Sequence, residues 1–129
     1  GTGGTLSGVG AYLKQQNPGV QIVAVEPAAS PLLSGGQAAP HRIQGIGANF
    51  IPKVLNTEIY DKVMPVTEDQ AYEAARLLGK TEGILVGISS GAAAFAASEL
   101  AKRPEYAEKT IVTVLPDTGE RYLSTGVFG

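Results

Sequence analysis

Gly83-Ile84-Leu85-Val86-Gly87-Ile88-Ser89-Ser90-Gly91-Ala92 is the stretch that decides the fold class. Residues 83–87 read as a short strand with apolar side chains on both faces. Ser89-Ser90-Gly91 then opens an alanine-rich helix that runs to about Arg103, ahead of Pro104. A strand apolar on both faces has to be covered on both sides, which is the habit of parallel sheets sandwiched between helices. The same alternation recurs along the chain. Residues 21–25 (QIVAV) read as a buried strand ended by Glu26-Pro27, residues 62–66 as a second strand, and residues 110–115 (TIVTVL) as a further buried one. Leu6, Val9, Tyr12 and Leu13 recur at helical spacing until Asn17-Pro18-Gly19 stops the run. Thr67 begins another helix, with Gln70 placed to complete a capping box and Ala71, Ala74, Ala75, Leu77 and Leu78 as its apolar face. The pattern predicts an α/β fold: a Rossmann-like three-layer sandwich with a mostly parallel sheet covered by helices, residues 1–129 forming a single α/β domain.

Composition narrows the function classes. The formal net charge of −2 gives no electrostatic reason for nucleic acid or an anionic membrane as partner. No cysteine is present, so disulfides, thiolate nucleophiles and zinc–thiolate sites are excluded, which fits a cytoplasmic protein. No apolar run reaches the length of about 18 residues needed for a membrane span. His41 is the sole histidine, and no clustered carboxylates give a metal-ligand spacing, so no metal is expected.

In a parallel sheet covered by helices, ligands bind beyond the carboxyl ends of the strands. Several small-residue motifs fall at such places. Gly1-Thr2-Gly3-Gly4-Thr5 opens directly onto a helical run. Small residues let backbone N–H groups converge on an anion, the threonine hydroxyls add donors, and the helix N-terminus adds partial positive charge. The alternative is a glycine turn with no ligand. A phosphate loop normally follows a strand, and this chain begins inside the loop, so it is expected to be part of a larger protein. Ser89 and Ser90 stand at a strand-to-helix junction, where a serine serves as an N-cap or turns its hydroxyl to a ligand. Gly87 to Gly91 also satisfies G-x-S-x-G, but a hydrolase would need a base, and His41 sits in a loop with no sequence-level case for that role. Residues 44–52 (QGIGANFIP) lie in a long irregular stretch, residues 28–52, whose glycines permit close approach to a small molecule or a tight structural turn. Asp117, after the last predicted strand, is either a site residue or a turn cap. Glu120 and Arg121 are read as structural hydrogen-bonding groups.

Taken in order, GTGGT, the VEP after the first strand, HRIQGIGANFIP, GISSGAA and GERYLST closely resemble the cysteine synthase (O-acetylserine sulfhydrylase) family of fold-type II pyridoxal-phosphate enzymes. The resemblance covers essentially the whole chain. It implies the C-terminal, cofactor phosphate-binding domain of a two-domain enzyme. Gly1, Thr2, Gly3, Gly4 and Thr5 match the loop that binds the phosphate of pyridoxal 5'-phosphate. Ser89 matches the serine that hydrogen-bonds the pyridine nitrogen. Gly45 matches a glycine beside the substrate amino group. The family's Schiff-base lysine lies upstream in this reading. No lysine of this chain, from Lys14 to Lys109, stands in the family's lysine motif, so no catalytic residue is assigned here and the segment alone is expected to be inactive.

The implied reaction is a ping-pong β-replacement in which O-acetylserine loses acetate and sulfide adds to give cysteine. The residue chemistry agrees: a serine at the ring nitrogen does not hold it protonated as a carboxylate would, which suits elimination over long-lived carbanions. The family also implies a homodimer and, in some members, binding of the serine acetyltransferase tail. Cystathionine β-synthase, with homocysteine as nucleophile, shares nearly every motif. The RYLSTGVFG ending also resembles the relative that accepts thiosulfate. A third reading, from a different class, is a non-catalytic phosphate-ligand module.

Overall fold

The computed structural model describes residues 2–125, the side chains of Arg121 and Thr125 excepted. The chain has an α/β fold with a parallel sheet and helices. It divides into two compact units, Gly1–His41 with Gly45–Pro65, and Arg42–Gln44 with Val66–Gly129.

The first unit begins with helix α1 (Gly4–Gln16), which Asn17 ends with its N–H bonded to the Leu13 carbonyl at 2.8 Å. The helix buries its Gly10 face and not the predicted apolar one. Val9 and Tyr12 remain 47% and 62% exposed, while Gly10 packs close to Ile22 and Ile59. Strand β1 (Val23–Pro27) pairs with β2 (Lys62–Val66) in a two-stranded sheet. Ala24, Glu26 and Pro27 are its buried positions.

Asp61 fixes the start of β2. Its Oδ2 accepts from the Ile22 amide at 2.7 Å, and its Oδ1 meets Lys14 Nζ at 3.0 Å. These two donors, the Ile22 amide foremost, hold its carboxyl below the ordinary value. A depressed folded-state pKa gives stability that is complete above the unfolded-state value and is lost as pH falls through the folded one. The stability gap between the protein and Asp61→Asn is therefore expected to be full at neutral pH and to close below about pH 4. Denaturant midpoints measured against pH check this, and a gap unchanged at pH 2 would contradict it.

The second unit is a helical pair. Thr67 caps α2 (Glu68–Glu82): its side chain accepts from the Gln70 amide at 3.2 Å, and Gln70 returns a bond to the Thr67 amide at 2.9 Å. The predicted capping box is thus present, and Glu68 and Asp69 add favourable charge to the first turn. Helix α3 (Ile88–Ala101) buries Ile88, Ala92, Ala96 and Leu100, a stripe at four-residue spacing. Gly91 lets the two helices meet closely: a Cβ there would lie 3.0 Å from both Ala75 Cβ and Ala75 N and would collide with the Ala71 carbonyl oxygen. Arg42–Gln44 pack on α2, with the Arg42 amide donating to Glu68 Oε1 at 2.8 Å and Ile43 fully buried.

Two predicted strands do not form as such. Residues 83–87 make one antiparallel bridge, Val86 with Thr118, and residues 110–115 join no ladder among the described residues. A strand exists only where a neighbour supplies its hydrogen bonds, and an apolar run carries no information about that neighbour. Val112 and Val114 are accordingly 83% and 57% exposed. Among the described residues, no helix is long and apolar enough to cross a membrane.

Candidate functional site

In the first unit, the glycine-rich start becomes the N-terminus of α1. Gly3 is its N-cap, in the left-handed region at φ 82°, and no side chain caps the helix. A Cβ on Gly3 would lie 2.7 Å from Leu55 Cβ and Cδ1 as well as being strained, so glycine is required twice over. The first intrahelical bond runs from the Ser7 amide to the Gly3 carbonyl at 2.9 Å. The Gly4 amide is met by Thr2 Oγ1 at 3.2 Å, and the amides of Thr5 and Leu6 lie ahead of the ladder. No acidic residue stands in the first turn. These are the features of a helix end suited to an anion. Gly1 lies outside the described residues.

The loop of the same unit is tied to the end of β1. Glu26 is 3% exposed, and its carboxylate accepts from the Leu33 amide at 2.7 Å and from Ser34 Oγ at 2.5 Å. Ser30 Oγ donates to Asn49 Oδ1 at 2.7 Å, and His41 Nε2 is 2.7 Å from the Gly47 carbonyl. His41 thus latches the loop, a structural role. Gly45 is exposed, with φ 95°.

The second unit separates the two serines. Both lie in the first turn of α3, and neither is the N-cap, which is Gly87. Ser90 donates from Oγ to Asp117 Oδ1 at 2.9 Å. A serine inside the first turn has helical backbone angles and cannot offer its hydroxyl to its own helix's leading amides in the way an N-cap does. The Ser89 hydroxyl has no protein partner among the described residues, although the residue is only 9% exposed. Ser90 is thus spent on structure. Asp117 also accepts from Tyr122 Oη at 2.5 Å, a pairing the sequence reading did not find. Its only local signal was a carboxylate and a phenol five positions apart. Glu120 accepts from Thr118 Oγ1 at 3.1 Å, in keeping with a structural role.

A family model described as "Pyridoxal-phosphate dependent enzyme" matches residues 1–117. The chain belongs to that family. It is 59% identical over 128 residues to a cysteine synthase of Staphylococcus aureus, covering 99% of this chain and 41% of the relative. Among solved structures, cysteine synthase (OASS) of Entamoeba histolytica matches with a TM-score of 0.97 and 46% identity, over 99% of this chain and 38% of that one. An O-acetylserine dependent cystathionine beta-synthase from Helicobacter pylori matches with a TM-score of 0.89 and 39% identity, over 100% of this chain and 42% of that one. The chain spans about two fifths of the length of these relatives.

Proposed function

We propose that residues 1–129 are the greater part of the C-terminal, cofactor phosphate-binding domain of a cysteine synthase, which makes cysteine and acetate from O-acetyl-L-serine and sulfide. The observation that carries this reading is 59% identity held across 128 residues to a cysteine synthase. The geometry of each unit supports it. The leading amides of α1, one of them met by Thr2 Oγ1, suit the phosphate of pyridoxal 5'-phosphate. Gly1 through Thr5 are its phosphate loop in this reading, Ser89 is the partner of the pyridine nitrogen, and Gly45 offers backbone beside the substrate amino group.

When bound, the cofactor supplies an electron sink for loss of the α-proton and of the β-substituent. The chain's own residues bind and tune. Backbone amides at the head of α1 would anchor the phosphate. Ser89 Oγ is a neutral hydrogen-bonding group at the ring nitrogen. A neutral group does not favour a proton there as a carboxylate would, and this biases the site toward elimination. We place the protein in the cytoplasm as a homodimer, with serine acetyltransferase as a candidate partner, as the family resemblance implies.

Product analysis tests the reading. The purified full-length protein, given O-acetylserine with equal sulfide and homocysteine, is expected to favour cysteine over cystathionine by roughly tenfold or more. Cystathionine as the main product would transfer the assignment to a cystathionine β-synthase. The 129-residue segment alone is expected to form neither.

A further inference from the structure

Asp117 is the centre of a small cluster at the start of α3. Its two carboxylate oxygens accept from Ser90 Oγ at 2.9 Å and from Tyr122 Oη at 2.5 Å. The backbone on either side is pinned as well: Thr118 bridges Val86, and the Gly119 amide donates to the Leu85 carbonyl at 3.0 Å. The carboxylate therefore has little freedom. It also fills the space beside Gly87, where a Cβ would collide with both of its oxygens. Gly87 is the N-cap of α3, and it offers no side chain to the helix. The first turn holds no acidic residue either. The negative charge that complements this helix end comes from a residue 27 positions beyond Ser90.

Ser89 shares that first turn and is bonded covalently to Ser90. A helical turn is rigid on the scale of one side chain, so whatever fixes Ser90 fixes the direction of the Ser89 Cα–Cβ bond. The Ser89 hydroxyl has no protein partner of its own to orient it among the described residues. We propose that Asp117 is a positioning residue for Ser89. By gripping Ser90 and packing against Gly87, it sets the rotation of the first turn of α3 and so aims the Ser89 hydroxyl. Tyr122 holds the carboxylate in place for that task. The inference rests on the reading that Ser89 meets the cofactor ring.

A double-mutant cycle on the full-length protein tests it, read as the affinity of the cofactor-free protein for pyridoxal 5'-phosphate and as the absorbance of the bound form. Asp117→Ala is expected to weaken cofactor affinity about tenfold, the worth of one well-placed hydrogen bond, and to shift the absorbance band. In a Ser89→Ala background the same change is expected to alter affinity by less than about twofold, because the group it positions is gone. Asp117→Asn, which keeps an oxygen to accept from Ser90, is expected to recover most of the affinity. A purely structural role would lower the melting temperature yet leave the band of the saturated protein unmoved. Equal losses in both backgrounds, or no loss in either, would overturn the proposal. Should Asp117→Ala not fold, Ser90→Ala cuts the same link and takes its place in the cycle. A wild-type protein that binds no pyridoxal 5'-phosphate would instead sink the functional reading itself, a result distinct from failed coupling.

Discussion

Gly91→Ala is expected to destabilise the protein by about 3 kcal/mol or more, near the upper end for overpacking a core. The added Cβ would collide with the Ala71 carbonyl oxygen and come within 3.0 Å of Ala75 Cβ and Ala75 N. Two of the three obstacles are backbone atoms of α2, which cannot rotate aside as a side-chain tip can. Ala71 and Ala75 are fully buried, so α2 has no loose surface to yield. The remaining response is to separate α2 from α3, which opens voids around Ala92 and Ala96 along the same stripe and forfeits dispersion contacts there. Denaturant unfolding of the variant against the parent measures the loss. A change under about 0.5 kcal/mol would mean the helices are not as close as described. Trimming Ala75 to Gly in the variant should recover only part of the loss, because the Ala71 carbonyl remains.

Ser89→Ala in the full-length protein is expected to weaken cofactor binding, alter the absorbance of the bound cofactor and slow acetate release by roughly a hundredfold, the scale on which a preorganised hydrogen-bonding group acts. The hydroxyl it removes makes no protein hydrogen bond among the described residues, so little structural cost accompanies the change. Ser90→Ala differs in carrying a structural cost as well. It deletes the 2.9 Å bond to Asp117 and leaves that carboxylate short of a donor, so a stability loss of about 1–3 kcal/mol is expected. If Ser89→Ala left binding, spectrum and rate unchanged, Ser89 would not be a site residue.

Local chemistry was legible in the sequence, and distant pairing was not. The capping box of Thr67 and Gln70 and the stop at Asn17 depend on neighbours a few residues away, and each could be read directly. The segments 83–87 and 110–115 look like strands because their side chains suit a sheet, but a ladder needs a partner that the pattern does not name. Helix α1 shows a related failure. Its apolar residues suggested one buried face, yet the close approach of Ile22 and Ile59 selected the side carrying Gly10. At the candidate site, the glycine loop announced itself by composition. Ser89 and Ser90 could not be told apart on residue chemistry, since they are alike and adjacent. What separates them is Asp117, brought to Ser90 by the bridge between Val86 and Thr118. Glu26 was likewise seen only as the end of a strand. Its buried bonds to Leu33 and Ser34 arise from the path of the loop after β1, which no local spacing encodes.

The central claim is that these residues belong to a pyridoxal-phosphate enzyme that replaces the acetoxy group of O-acetylserine with sulfide, releasing acetate. Its most direct test is the visible absorbance of the full-length protein before and after O-acetylserine, and again after sulfide. The account predicts a band from bound cofactor that changes when O-acetylserine is added and returns when sulfide follows. Protein prepared with added pyridoxal 5'-phosphate that shows no such band, with or without O-acetylserine, would contradict it.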